Sequence, residues 1–182
     1  MFNARSEEIL NPKSTWYRIR KQRCLIDVTG IYEHRAIVGW KKKVPYIVRL
    51  SNRKRLLIPA LYNFPEKPNP ETGEITGTFA MITLTANELM KNIHNDGPNK
   101  HRMPLFMQPE QAAGWLEPMT DVQMKAFLSY EIPSNDLNAY PVYTIRNTAT
   151  SPDGKEKNES YDWPGLPVLG NDNPNEQVSM FA

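Results

Sequence analysis

The sequence predicts an α+β fold, with an irregular, curved and partly barrel-like antiparallel sheet flanked by short helices. Runs of β-branched and aromatic residues, bounded by turn residues, predict strands over residues 24–29, 31–35, 44–50, 56–62 and 78–84. Two threonines followed three residues later by Glu or Gln, Thr85 and Thr120, predict the capped starts of helices. There is no internal repeat, so a single irregular sheet with flanking helices fits these patterns.

The remaining elements are shorter. Asn11-Pro12 is a turn signal, and a short helix is predicted to begin within Ser14-Thr15-Trp16-Tyr17. Pro59 inside the run 56–62 indicates an edge strand, a bulge or a strand start. Further along, the patterns predict a helix from Thr85 to about residue 94, a strand over 103–107, short helices over 109–115 and 120–129, and a last strand over 141–145.

The length of 182 residues and the 40% apolar content fit one domain with a substantial core plus a tail. We therefore predict a domain over residues 1–146 and a polar, flexible tail over 147–182. The sequence contains no run of 18 apolar residues and no secretory signal pattern, so we expect a cytoplasmic protein without a membrane partner. The single cysteine, Cys24, agrees with a reducing compartment, and a buried inert thiol is the expectation there.

Positive charge is concentrated in the first third of the chain. Residues 1–55 hold 14 Lys or Arg against 4 Asp or Glu, in clusters at 18–23, 41–43 and 53–55. Trp16, Tyr17, Trp40 and Tyr46 are interleaved with these clusters. Cations that follow a phosphate backbone, together with aromatic faces that stack on bases, suit single-stranded nucleic acid. Alternatively, clusters 41–43 and 53–55 are hairpin tips kept soluble by their charge.

Two titratable residues stand out. Glu33 lies between Tyr32 and His34 on a mostly apolar strand; either it is desolvated, with a raised pKa suited to proton transfer, or strand alternation points it to solvent. His94 falls at the predicted end of a helix, where it is either a C-terminal cap or an acid–base group.

Three motifs occur in order along the chain: Asn3-Ala4-Arg5-Ser6-Glu7, the stretch from Arg23 to Arg35 that contains Arg23-Cys24-Leu25 and Glu33, and Ile93-His94 followed by Arg102-Met103-Pro104. With them the chain resembles the SOS-response-associated peptidase family, the abasic-site processing proteins, from residue 2 to about residue 143. The resemblance implies a DNA-damage response protein that recognises abasic sites in single-stranded DNA. It also implies a thiazolidine cross-link, formed by an N-terminal cysteine, and an associated autopeptidase activity.

The resemblance also assigns roles to individual residues. The implied catalytic residues orient the nucleophile or carry protons; they are Asn3, Glu33 and His94. The implied DNA-binding residues hold phosphates or bases; they are Arg5, Trp16, Arg23, Thr85 and Arg102. The chain departs from the family at Asp27, His34 and Ala60, where proline, tryptophan and glycine are usual. Residues 95–101 look like an insertion, which leaves His101 as a rival for the histidine role.

The family's nucleophile is not found in this sequence, because Cys24 belongs to the Arg-Cys-Leu motif. The chain is therefore interpreted as a family member without its N-terminal segment, or one whose segment is supplied by a separate chain. The alternative is a noncatalytic module that binds single-stranded nucleic acid, so whether the chain is an enzyme stays open. No Cys-x-x-Cys or His-x-x-x-His spacing is present, and no metal or other cofactor is expected.

The C-terminal residues Gln177-Val178-Ser179-Met180-Phe181 resemble the pentapeptide that binds the bacterial sliding clamp. A flexible peptide of this kind places Met180 and Phe181 in an apolar cleft, while Gln177 forms hydrogen bonds at its rim. Equally, these apolar residues fold back onto the domain. Both interpretations stay open at this point.

Overall fold

The chain divides into two units, and the computed structural model describes residues 2–52, 55–146 and 150–173. The first unit comprises Met1–Thr29, Arg55–Thr85 and Met103–Ile132, and the second comprises Gly30–Lys54, Ala86–Arg102 and Pro133–Ala182. No helix among the described residues has the length and apolar character needed to cross a membrane.

The described residues form eight strands and five α-helices. In chain order these are β1 (Phe2–Arg5), α1 (Ser6–Ile9), α2 (Thr15–Ile19), β2 (Arg23–Val28), β3 (Ile31–Arg35), β4 (Val44–Leu50), β5 (Leu56–Asn63), β6 (Thr78–Thr85), α3 (Glu88–Ile93), β7 (Arg102–Pro104), α4 (Pro109–Leu116), α5 (Asp121–Leu128) and β8 (Leu137–Pro141).

The sheet of the first unit has the strand order β1-β6-β5-β2, with β7 also paired to β6. β1 runs parallel to β6, whereas the β6–β5 and β5–β2 pairs are antiparallel. Helix α4 packs against β2 and β5 through the fully buried Trp115. The Trp115 indole N–H donates to the Cys24 carbonyl at 3.1 Å, and its ring contacts Phe127 of α5 with 6.0 Å between centroids. The buried indole therefore joins two helices to the sheet.

The second unit is built on the antiparallel sheet β3-β4-β8, with α3 packed against β3. Alternate residues of β3 face opposite sides of this sheet. Gly30, just before β3, allows a close approach of the chain, because a Cβ there would lie 2.7 Å from Arg49 Cγ and 2.8 Å from the Val48 carbonyl oxygen. A side chain at position 30 would displace β4.

A buried arginine connects β3 to residues near the C-terminus. The Arg35 side chain is fully buried and forms an ion pair with Asp172, with 2.6 Å between Nε and Oδ1. Its other N–H groups donate to the Tyr46 hydroxyl and to three backbone carbonyls, those of Pro167, Val168 and Asn171. Asn95 bridges the Ala36 backbone and Asp172. Residues 167–172 are therefore held against β3 although they form no helix or strand.

The predicted α+β class is confirmed, and the strands predicted at 31–35 and 44–50 have those bounds in the structure. The capping box at Thr120 is also confirmed. Neither sheet forms a closed barrel among the described strands. The parallel β1–β6 pair was not foreseen.

Three details of the predicted fold were wrong. The N-terminal cap of α3 is Asn87, which accepts from the Met90 amide at 3.0 Å; Thr85 stays in β6 because the Ala86 amide bonds the His101 carbonyl and keeps the backbone extended. The last strand is Leu137–Pro141 rather than 141–145. The strand predicted at 103–107 spans only Arg102–Pro104. Pro59 lies inside β5 and pairs with Leu25 of β2, and the β5–β6 pairing begins only at Ala60, which agrees with the edge-like position predicted for this proline.

Replacing Trp115 with alanine should destabilise the first unit by about 3–5 kcal/mol, because the change leaves a large cavity and an unpaired Cys24 carbonyl. The free energy of unfolding, measured by urea titration, tests this expectation. Leu116→Ala is the matched control, since Leu116 is the next residue of α4 and is 51% exposed. Equal losses for the two variants would contradict the proposed role of the indole.

Candidate functional site

Glu33 is half-buried on β3, and its cross-strand partner on β4 is Tyr46. Arg35, two residues further along β3, lies on the same face of the sheet. Burial raises the pKa of Glu33, because the charged form loses its hydration. The positive charge of His94 and a hydrogen bond from the His34 backbone amide act in the opposite direction, and they are weaker. The carboxyl is thus desolvated yet in electrostatic contact with an imidazole.

His94 is the C-terminal cap of α3, and its ring is held by the backbone. Its Nδ1 lies 2.7 Å from the carbonyl oxygen of Arg102. Because a carbonyl oxygen can only accept, Nδ1 is the donor of this hydrogen bond, and Nε2 is left for other partners. The Arg-Met-Pro motif therefore orients the histidine through the Arg102 backbone, a role that the sequence did not indicate.

Residues 95–101 form a closed loop rather than a spacer between the two motifs. The His101 amide donates to the His94 carbonyl at 2.8 Å, and the His101 carbonyl accepts from the Ala86 amide at 2.9 Å. His101 itself is exposed and adopts a left-handed backbone with a φ of 62°. The charge that acts on Glu33 is that of His94. The geometry thus favours His94 over His101 for the histidine role.

In the first unit, three of the predicted site residues share one face of the sheet. Asn3 and Arg5 are two residues apart on β1 and therefore point to the same face. Their partners in register on β6 are Met81 and Thr83, and Thr85 follows on the same face two residues after Thr83. All three are exposed. The strand-end position of Arg5 and Thr85 brings a cation and a hydroxyl to the same region of the sheet.

Arg23 lies on the other face of that sheet. Asn3 is in register with Met81, which is in register with Ala60, whereas Arg23 is in register with Leu61. Neighbouring residues of a strand face opposite sides, so Arg23 and Asn3 are on opposite faces. Its Nη2 donates to the Glu117 carbonyl at 2.7 Å, and its guanidinium lies 5.7 Å from the Trp115 ring centroid. Burial lowers its pKa. Arg23 is therefore not grouped with Asn3, and its DNA-binding role stays a prediction, as does that of Trp16 on α2.

The Cys24 thiol is half-buried on β2, and burial raises its pKa. A thiol with a raised pKa is protonated at neutral pH and is a poor nucleophile. Among the residues that the structure describes, no group of three His, Cys, Asp or Glu side chains is placed to hold a metal ion. Glu33 and His94 are titratable side chains that the second unit brings into electrostatic contact.

Residues 1–148 match the sequence model of a family described as SOS response associated peptidase (SRAP). The chain belongs to the SRAP family. It is 30% identical over 149 residues to the abasic site processing protein YobE of Bacillus subtilis and to YoqW of the same organism. These matches cover 81% of the chain, which spans 64% of the length of YobE and 62% of YoqW. The chain thus covers less than two thirds of these curated relatives.

Solved structures agree with this membership. A protein from Bacteroides thetaiotaomicron superposes with a TM-score of 0.67 and 28% sequence identity, over 86% of this chain and 62% of that one. A protein from Bordetella bronchiseptica superposes with a TM-score of 0.63 and 27% identity, over 78% and 65% of the two chains. The SRAP fold therefore extends over most of the present sequence.

Replacing Glu33 with glutamine should stabilise the protein at neutral pH and leave its stability unchanged below about pH 4. The folded state raises the pKa of Glu33, so folding favours its protonated form. Below both pKa values, the carboxyl is protonated in both states and has no effect on stability. As the pH rises from the unfolded-state pKa to the folded-state pKa, the carboxyl increasingly destabilises the native state, and the full penalty remains at higher pH. Tm should be measured from pH 4 to pH 8 for both proteins.

Glu66→Gln, in an exposed loop, controls for the loss of one negative charge. If the Tm difference between Glu33→Gln and the parent chain does not grow with pH, Glu33 is not desolvated in solution.

Proposed function

We propose that this chain recognises abasic sites in single-stranded DNA and supplies the acid–base groups for a DNA–protein thiazolidine cross-link, as part of the cytoplasmic DNA-damage response. SRAP membership and the names of the curated relatives support the abasic-site theme. The observation that carries the chemistry is the half-buried Glu33, whose pKa is raised by desolvation, beside a histidine fixed by the Arg102 carbonyl.

A carboxyl with a raised pKa keeps its proton to higher pH than a free glutamic acid, which suits it to donate and to accept protons. In its protonated form, Glu33 donates to the ring oxygen of the abasic deoxyribose, the bond from C1′ to that oxygen breaks, and the C1′ hydroxyl gives up its proton to water, which leaves an aldehyde at C1′. An amine then adds to that carbon, and loss of water leaves an imine. Addition of the thiol sulfur to the imine carbon, with transfer of the thiol proton to nitrogen, closes the thiazolidine. Glu33 and His94 exchange the protons of these steps.

The DNA strand also needs contacts to its phosphates. Arg5 suits a phosphate, because its planar guanidinium offers paired donors, and Asn3 on the same face suits the orientation of the nucleophile. The excess of cations in residues 1–55 favours binding that weakens as salt rises. Thr85, Trp16, Arg23 and Arg102 remain further candidates for DNA contacts.

The thiol and amine of the cross-link come, in this proposal, from an N-terminal cysteine exposed by the family's autopeptidase activity. Cys24 does not suit this role, because burial keeps its thiol protonated and its amine is part of the backbone. The cysteine is provided either by a further segment of the same protein or by a separate chain.

A second candidate function is a noncatalytic module that binds single-stranded nucleic acid. The specific observation in its favour is that the one cysteine of the sequence, Cys24, has a raised pKa and lies within a strand. In this case abasic DNA would be bound without acceleration of any step.

Free cysteine distinguishes the two candidates, since it carries the same amine and thiol. The chain should accelerate thiazolidine formation between cysteine and an abasic oligonucleotide, and Glu33→Gln should reduce this acceleration by about 100-fold, the scale of a lost acid–base group. The mass increase of the oligonucleotide, followed over time by mass spectrometry, measures the rate. Without added cysteine, no stable band shift is expected on a denaturing gel.

Arg5→Gln should weaken binding of the abasic oligonucleotide about tenfold and leave the rate at saturation unchanged. Lys67→Gln, in an exposed loop, is the matched control for the lost charge, and Glu66→Gln is the control for Glu33→Gln. Selective binding of abasic DNA with no acceleration would favour the noncatalytic module. Equal affinity for abasic and undamaged strands would end the proposal.

The sliding-clamp motif, with Gln177, Met180 and Phe181, lies outside the described residues. The proposal that it recruits the chain to replication forks rests on the sequence alone. Binding of a peptide over residues 171–182 to a purified clamp would test it, and no binding at high micromolar concentration would end it.

A further inference from the structure

A pocket lies in the second unit, on the face of the β3-β4-β8 sheet away from Glu33. His34 and its cross-strand partner Pro45 both line it, and strand alternation turns His34 to the side opposite its neighbour Glu33. The pocket has a volume of about 440 Å³, which is within the range of small-molecule sites. The acid–base groups described above do not use it.

Aromatic rings form one wall of this pocket. Tyr143 and Trp163 line it with their ring planes 23° apart and 6.1 Å between centroids. Tyr161 packs on both rings, at 4.9 Å from Tyr143 and 5.5 Å from Trp163, and Trp40 lies 6.4 Å from Trp163. The Trp163 indole N–H donates to the Val142 carbonyl at 3.0 Å. The rings are therefore fixed in place before any ligand arrives.

Cations form the rim. Lys42, Lys43 and Arg146 line the pocket, and its described lining contains no acidic side chain. Lys43 is partly neutralised by Asp96, at 2.8 Å, whereas Lys42 and Arg146 are exposed. Burial and the charge of Lys43 lower the pKa of His34, so its ring is neutral at pH 7 and offers both a donor and an acceptor. The site is thus apolar and aromatic at its wall and positive at its entrance.

We propose that this pocket binds one undamaged nucleotide of single-stranded DNA, with the base against Tyr143 and Trp163 and the phosphates at Lys42 and Arg146. Stacking on aromatic rings tolerates any base, and cations follow the backbone, which is the chemistry of non-sequence-specific single-strand binding. This inference rests on the proposed function and extends it, since it gives the strand a contact beyond the abasic sugar. β3 is an outer strand of its sheet. Its adjacent residues point to opposite faces, with Glu33 at the proposed acid–base site and His34 in the nucleotide pocket.

Photo-cross-linking tests the location of the base. Undamaged single-stranded oligonucleotides, each with one 5-iodo-deoxyuridine, are irradiated with the full chain, and the modified peptide is identified by mass spectrometry. The cross-link is expected at Tyr143 or Trp163. A second oligonucleotide set, with the photoreactive base scanned on either side of an abasic site, should give this cross-link at a fixed distance on one side.

Binding titrations test the phosphates. The double variant Lys42→Gln plus Arg146→Gln should lose about tenfold in affinity for undamaged strands, and the slope of log affinity against log salt should fall by about 1.4, because two phosphate contacts to a single strand are lost. Both residues are exposed, so the fold should be retained. Lys67→Gln, at an exposed loop position, is the control and should change affinity less than twofold.

The outcomes separate this inference from the proposed function. Cross-links elsewhere, together with unchanged affinity of the double variant, overturn the pocket while a preference for abasic DNA still supports the proposed function. If the parent chain binds neither undamaged nor abasic strands, both proposals fail.

Discussion

The second unit depends on one buried charge. A fully desolvated guanidinium is tolerated only when its donors are satisfied, since the loss of hydration otherwise outweighs the attraction to a partner. Arginine has five N–H donors, and Arg35 has five acceptors among Asp172, the Tyr46 hydroxyl and three backbone carbonyls. This network fixes the end of β3, two residues after Glu33. The proposed acid–base group thus stands on a strand whose position is set by residues far along the chain.

Backbone atoms, more than side chains, position the titratable groups. The His34 amide bonds the Glu33 carboxylate, and the Arg102 carbonyl sets the protonated nitrogen of His94. Backbone groups do not change with substitution of the side chain that carries them. These two contacts therefore do not depend on which side chains stand at positions 34 and 102.

Local patterns predicted local structure well. β-branched runs marked β3 and β4, and the threonine box marked α5, because these signals act over a few residues. The position of β8 was predicted wrongly because Asp136 and Asn138 are residue types common in turns. The cap of α3 was predicted wrongly because the Ala86 amide donates to the His101 carbonyl, 15 residues away, and this hydrogen bond extends β6. Motif resemblance pointed to Glu33 and His94, which the structure places in electrostatic contact. It could not find Arg35 with Asp172, or Tyr143 with Trp163 and His34, because no sequence signal joins residues so far apart.

The distance along the chain between Arg35 and Asp172 also affects the order in which parts of the second unit fold. The two are 137 residues apart, so the loop that joins them closes late and at a large entropic cost. During synthesis, the guanidinium has to remain hydrated until the residues near the C-terminus leave the ribosome. β3 is therefore made well before residues 167–172 and reaches its final position only after they have been made.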